Sequence, residues 1–203
     1  TSQEIENKFR YEYSGRMGAY KLIAGMGGEY AKYNSSTFEK AFIPIDGDTI
    51  RSISYASSFD MFKYHGFTQL SREWLSGRLI LSAGFRMDGN NFTTFMSNPL
   101  NQFSPRISAS YAITPKFFVN FNTGKYYQLL PYTTLGFRNN SGEFVNKNED
   151  ARYISSNHLV GGIEFRRSRN TRITLEGFYK HYNNYPVSVN DSVSLANKGG
   201  DFG

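Results

Sequence analysis

The sequence contains no cysteine. That excludes a disulfide framework and any thiolate-held zinc or iron–sulfur centre, and it suits a secreted or envelope protein. Long apolar runs are missing too. No stretch approaches the ~18 apolar residues of a membrane-spanning helix, so a bundle of such helices is excluded. Tryptophan occurs once and histidine three times. What the chain does have is 15 Tyr and 18 Phe in 203 residues, which sets it apart from disordered chains, poor in aromatics. Its 23 basic and 17 acidic residues leave a net charge of +6. The length admits one domain or a small pair. A mean hydropathy of −0.51 resembles that of a polar soluble protein, but such an average misleads where apolar and polar residues alternate.

They alternate here. Leu79, Leu81, Ala83, Phe85 and Met87 fall on one parity, and Arg78, Ile80, Ser82, Gly84, Arg86 and Asp88 on the other. Successive side chains of a strand point to opposite faces, so this stretch reads as a strand with one apolar and one polar side. The pattern recurs in Ile107–Ala109–Tyr111–Ile113, in Phe117–Val119–Phe121, in Leu159–Gly161–Ile163–Phe165 and in Ile173–Leu175–Gly177–Tyr179. Near the start, Ile5, Phe9, Tyr11 and Tyr13 oppose Glu4, Glu6, Lys8, Arg10 and Glu12, and Tyr20, Leu22, Ala24 and Met26 follow. Between 58 and 75 the alternation is weaker, with Phe62, Tyr64 and Leu70 assigned to the apolar face.

About eight strands are predicted, near 4–13, 19–33, 58–75, 78–89, 104–113, 116–128, 157–167 and 171–183. No helix of useful length is expected. Short turns (Ser14–Gly18, Ser76–Gly77, Thr114–Pro115, Ser168–Asn170) alternate with long polar segments at 34–57, 90–103, 129–156 and 184–203. All short connections of such a meander lie on one rim and all long ones on the other. Thr1-Ser2-Gln3-Glu4 is no signal peptide, and Lys198–Gly203 reads as a loop cut short, so the expectation is a piece of a longer chain.

A one-sided sheet must hide its apolar face. An outer-membrane barrel turns that face to lipid and keeps a polar lumen. The long strands, the one-sided loops and a charged inner face (Lys8, Arg10, Glu12, Arg78, Arg86, Arg106, Glu164, Arg166, Arg172, Glu176 and Lys180) favour it, because a dry core tolerates no unpaired charges. Tyr11, Tyr13, Tyr30, Tyr33, Trp74, Tyr126, Tyr127, Tyr179 and Tyr182 are assigned to interfacial girdles. Two other architectures compete. One is a complete eight-stranded outer-membrane barrel with a structural or adhesive role. The other is a soluble carbohydrate- or nucleic-acid-binding β domain.

Catalytic and metal readings are weak. His65, His158 and His181 lie on separate strands without a zinc-helix or nucleophile motif. An Asp60–His65 dyad is conceivable but not required by the spacing. Asp46-Gly47-Asp48 and Asn146–Asp150 lack the full calcium-loop pattern. Gly25-Met26-Gly27-Gly28 sits inside a strand, where glycine permits a bend or close packing. Neither an enzyme nor a metal or cofactor is expected. The basic charge is spread over many strands between carboxylates. It suits a polar lumen, or attraction to acidic lipopolysaccharide, better than nucleic acid.

The run Ser104-Pro105-Arg106-Ile107-Ser108-Ala109-Ser110-Tyr111-Ala112-Ile113-Thr114-Pro115-Lys116 resembles the barrel signature of TonB-dependent receptors. The strand after it leads to Gly124-Lys125-Tyr126-Tyr127-Gln128-Leu129-Leu130-Pro131, similar to the receptors' Gly-aromatic-Pro element. Ile173–Tyr179, Tyr132–Phe137 and Asn184-Tyr185-Pro186 are further local matches, and the whole chain is similar to the middle of receptors from Bacteroidetes. The resemblance implies an outer-membrane importer of a Gram-negative bacterium. Such an importer has a barrel of about 22 strands closed around a plug, and TonB with ExbB and ExbD pulls on that plug from the periplasm. Residues 1–203 would then be a single partial barrel domain without plug or TonB box. The implied ligand is a siderophore, haem, cobalamin or an oligosaccharide. Tyr132 and Phe137 in the 128–156 loop are candidates to stack on it, while Tyr126 and Tyr127 are assigned to packing or the girdle. Arg106, Arg86, Arg166 and Glu176 are assigned to the lumen wall, Arg106 either as a partner for carboxylates there or as an ordinary solvated charge.

Overall fold

The computed structural model describes residues 2–43, 49–139, 141–168, 170–187 and 193–194. Eight antiparallel strands form one sheet in sequence order: β1 (Ser2–Met17), β2 (Tyr20–Ile43), β3 (Thr49–Trp74), β4 (Leu79–Asn90), β5 (Ser104–Ala112), β6 (Phe117–Gln128), β7 (Ile154–Ser168) and β8 (Thr171–Asn183). Every pairing joins neighbours in sequence, so the sheet is the meander that the alternation predicts. Residues paired across an antiparallel ladder point to the same side. Gly84↔Arg106↔Gly124↔His158↔Lys180 is one polar-face row, and Leu81↔Ala109↔Phe121↔Gly161↔Gly177 belongs to the apolar face.

Among the described residues, nothing packs against the apolar face. Phe9, Ile107, Ile163, Ile173 and Leu175 are each more than half exposed. The total accessible surface is 13835 Å², against roughly 9,700 Å² for a compact monomer of this mass. A soluble monomer rarely leaves more than a few hundred Å² of contiguous apolar surface open to water, which weighs against the soluble-domain reading. A self-closed eight-stranded barrel would need a ladder between β1 and β8. No such ladder exists among the described residues, where these two strands are the edges of the sheet.

The short turns hold together through arginines. Arg78 donates from Nε to the Ala112 carbonyl (3.2 Å) and from its terminal nitrogen to the Ile113 carbonyl (3.0 Å) and the Tyr111 hydroxyl (3.3 Å). It thereby ties the β3–β4 turn to the β5–β6 turn. Arg16 and Glu73 pair at 3.5 Å across the neighbouring turns.

The other rim departs from expectation. Residues 34–57 are predicted to be loop, yet β2 continues to Ile43 and β3 begins at Thr49. At about 3.3 Å per residue, a 24-residue strand runs roughly 80 Å, more than twice a ~30 Å hydrocarbon core. Above the apolar band the outward residues become Lys32, Asn34, Ser58 and Asp60, with the Ser58 hydroxyl donating to Asn34 at 2.7 Å. A strand in water needs its ladder but not an apolar stripe, so the alternation fades while pairing persists. Asp46-Gly47-Asp48 and Lys198–Gly203 lie outside the described residues.

The loops contribute single helical turns, α1 (Thr94–Ser97), α2 (Tyr132–Leu135) and α3 (Val145–Asn148), plus a 3-10 turn (Pro99–Gln102). They fold over the polar face at the long-loop end. Met61, Phe92, Met96, Leu130, Leu135, Tyr153 and Ile154 form the buried core there, flanked by Phe59 and Tyr132. Full burial of each large apolar side chain contributes about 1.5–3 kcal/mol.

Candidate functional site

The polar face carries two features able to meet a solute. The first lies under the loop cap. Glu6 and Lys8 of β1, Glu29 of β2 and Lys63 of β3 meet there. Lys8 pairs with Glu6 at 2.5 Å and with Glu29 at 3.6 Å, and Lys63 pairs with Glu6 at 3.2 Å and also with Glu29. The sheet register puts these residues on one face and in adjacent rows. Tyr132 of α2 closes the cluster. Its hydroxyl donates to Glu6 at 2.6 Å and accepts from Lys63 Nζ at 2.5 Å. Burial, reinforced by the adjacent Glu6 carboxylate, holds this phenol well above the ordinary tyrosine range.

The Tyr132 ring is half-buried among other rings. It lies 5.9 Å from Tyr33 and 6.0 Å edge-on to Phe59, with the Lys63 ammonium 5.1 Å from its centroid. In this structure Tyr132 therefore pins the loop to β1 and β3. Phe137, the other candidate for stacking, is 42% exposed on the same segment. Tyr33, assigned to the girdle, is instead buried on the polar face against Phe59 (5.5 Å).

A second anchor ties the loops to β4. The Tyr153 hydroxyl accepts from Asn90 Nδ2 at 2.9 Å in a fully buried setting. Burial pushes the Tyr153 phenol up to about 12, from about 10 in an unfolded chain. Between those values the unfolded state has lost a proton that the folded state keeps, so stability falls as pH rises. The contribution is complete below pH 10 and gone above about pH 12. Tyr153 is thus expected to titrate about two units late, read as the phenolate absorbance missing from a Tyr153→Phe variant. Titration near pH 10 would contradict the buried anchor.

The second feature is a groove of about 380 Å³ lower on the face. Arg10, Arg86 and Arg106 line one end, and Gln69, Ser82, Ser108 and Asn122 line its floor. Arg86 is held by Asp88 through Nε (2.8 Å) and the terminal nitrogen (2.6 Å), and Arg10 by Glu12 at 2.5 Å. Arg106 has no carboxylate partner among the described residues. Its guanidinium lies 4.4 Å over the Tyr126 ring, and that ring sits 4.5 Å from His158. Its cross-strand neighbours are Gly84 and Gly124, and a methyl group at Gly124 would lie 3.0 Å from Arg106 Cγ. The bare backbone lets the arginine stem lie flat and reach the ring. Tyr126 thus leaves the girdle for the polar face, as does Tyr182, paired with Ser156.

Arg166 and Glu176 stand further along the same face. Arg166 pairs with Glu164 and lies 4.3 Å over Phe118, while Arg172 reaches Glu164 at 3.3 Å. Glu176 faces a shallower hollow floored by Ser82, Ser108 and Asn120. The structure brings Arg86 and Arg106 together but keeps both apart from Tyr132 and Phe137.

The remaining candidates separate as well. Asp60 and His65 differ in parity and so point to opposite faces; His65 pairs in register with Asp88. Asn146 Nδ2 donates to the Thr134 carbonyl at 2.5 Å, and Asp150 accepts from the Phe95 amide at 3.3 Å.

No curated protein matches the chain. The siderophore receptor PirA from Pseudomonas aeruginosa superposes with a TM-score of 0.60 at 17% identity, over 89% of this chain and 32% of that one. The copper transporter OprC gives 0.62 at 15% identity, over 89% and 30%. A mutant of the ferric enterobactin receptor PfeA from Pseudomonas aeruginosa gives 0.57 at 18%, over 89% and 27%. The chain therefore spans about a third or less of each solved protein, and at these identities the likeness shows the fold alone. The family of TonB-dependent receptor-like β-barrels matches across residues 2–200, and with an eight-stranded meander of one apolar and one polar face beneath that match, the chain belongs to this family.

Proposed function

We propose that these strands are part of the wall of an energy-coupled importer in the outer membrane of a Gram-negative bacterium. The observation that carries this reading is the two-faced sheet itself. Its apolar side is unburied, its polar side is lined with charge, and its short turns all lie on one rim, which is the design of a barrel set in lipid around a wet interior. The family match supports the same conclusion.

In this reading residues 1–203 are one partial barrel domain. A plug supplied by further sequence fills the lumen, and TonB with ExbB and ExbD acts through that plug. Outer-membrane lipid meets the apolar face, and lipopolysaccharide surrounds the long-loop rim. Arg86, Arg106, Arg166 and Glu176 form luminal wall, and Phe137 stands on a loop open to ligand. The chain transports rather than catalyses. The order of the signatures from Ser104 to Pro131 supports a receptor of the Bacteroidetes type. The solved neighbours are titled as siderophore and copper proteins, and the cargo class remains siderophore, haem, cobalamin or oligosaccharide.

The test is uptake. Cells with and without the gene are given ferric enterobactin, haem, cobalamin or a maltooligosaccharide, with and without a protonophore. Uptake of one cargo is expected to require both the gene and the proton gradient. Uptake of all four that is indifferent to the gene overturns the reading.

A further inference from the structure

Near the short-turn rim, Arg72 differs from its neighbours Arg16 and Arg78. Arg16 and Arg78 both have acceptors within the protein. Arg72 has none among the described residues. It lies on the outward face, paired with Tyr20 of β2 and Leu81 of β4. Its guanidinium is wedged between two rings, 3.7 Å from Trp74 and 4.7 Å from Tyr20, and its Nε is buried without a hydrogen-bond partner. Parity turns the adjacent carboxylate of Glu73 to the polar face, where Arg16 engages it. Along β3, the outward residues from Phe62 to Trp74 are Phe62, Tyr64, Gly66, Thr68, Leu70, Arg72 and Trp74, so Arg72 is the one charge in that row.

A guanidinium carries five N–H donors. Stacking on rings stabilises its charge but supplies no acceptor. In lipid, an unpaired donor is costly. Two residues from the strand end, at about 3.3 Å per residue, place Arg72 roughly 7 Å inside the rim. At that depth the strong acceptors are phosphate and ester oxygens of the lipid, and a planar guanidinium matches a phosphate in two-pronged geometry. The rings fix the head in place, so little rotamer freedom remains to be lost on binding.

We infer that Arg72, held between Tyr20 and Trp74, is a binding site for the phosphate of an anionic phospholipid in the leaflet at the short-turn rim. This rests on the reading of the sheet as a membrane wall, and the test separates the two. The purified protein, as expressed in outer membranes, is transferred to nanodiscs of phosphatidylcholine containing a minor share of phosphatidylglycerol. Lipid retained on release is counted by native mass spectrometry.

The wild type is expected to retain phosphatidylglycerol about fivefold over its share, the effect of one cation at a membrane surface. Arg72→Gln is expected to lose that enrichment, and Arg72→Lys to keep only part of it, since lysine lacks the planar fork. Equal enrichment in wild type and Arg72→Gln overturns the site. Displacement of the lipid by millimolar inorganic phosphate overturns its assignment to lipid. A wild type that stays soluble without any amphiphile overturns the membrane reading, and the site with it.

Discussion

Phe121→Arg should destabilise the protein in membranes by about 2–4 kcal/mol, the cost of an arginine near the midplane on the lipid face of a barrel. Phe121 lies among Ala109, Leu159 and Gly161 on the apolar face, and it is 43% exposed, with none of the described residues covering it. One position away, Asn120→Arg should cost within about 1 kcal/mol, the loss of one hydrogen bond. Asn120 accepts from the Ser110 hydroxyl at 2.8 Å and shares its hollow with Glu176, which can receive the new cation. A soluble β domain would invert the order, because an exposed Phe→Arg change in water is nearly neutral. The measurement is the urea midpoint of the folded, heat-modifiable band for both variants in lipid vesicles. Equal midpoints would refute the assignment of faces.

Leu135→Asp should release the 129–153 segment while leaving the strands paired. Leu135 is fully buried among Met61, Met96 and Tyr153. Truncating such a leucine costs about 2–5 kcal/mol, and an unpaired carboxylate adds desolvation. The ladders do not run through this loop, so the barrel has no reason to open. Trypsin reports the difference. Its sites in the loop are Arg138, 3.7 Å over Phe144, Arg152, 4.3 Å over Phe95, and Lys147, 5.7 Å over Phe92. Each is pinned on a ring, so cleavage should be slow in the wild type and at least tenfold faster in the variant, since 1.4 kcal/mol of opening free energy is a factor of about ten. Unchanged cleavage would mean that the loop is not held by its core.

The strands from β4 to β8 are legible in the sequence because one apolar and one polar face impose period two on them. The same rule also fixes the faces of Tyr33 and Tyr126. With Tyr20, Leu22 and Ala24 outward, Tyr33 must point inward. With Phe117, Val119 and Phe121 outward, so must Tyr126. Parity, not aromatic character, decides the face. The upper parts of β2 and β3 are illegible for a different reason, since beyond the apolar band only the backbone ladder holds them. The loop core was hidden as well. Met61, Phe92, Met96, Leu130, Leu135 and Tyr153 come from four separate segments and have no common period, so nothing local announces that they meet. The cation–π seat of Arg106 depends on Gly84 and Gly124 standing beside it in register, and such pairings appear only once the strands are aligned.

The height of β3 leaves it without a strand partner on one side. Its ladder with β4 ends at Lys63↔Asn90, yet the strand continues back to Thr49. Naked strand edges recruit other chains and lead to aggregation. The loop residues occupy this edge instead. Asn91 donates its amide to the Phe62 carbonyl at 3.2 Å and accepts from the Phe62 amide through its side chain at 2.8 Å, copying one rung of a ladder. Arg138 takes the Ser58 carbonyl at 3.3 Å, and Phe59 is covered by Phe144. The segment that shapes the mouth is therefore also a guard on a sticky seam. Loop diversity in such a protein is bounded by this duty: exchanging the loop for one without these capping groups would expose a template for intermolecular β-pairing before it changed any ligand.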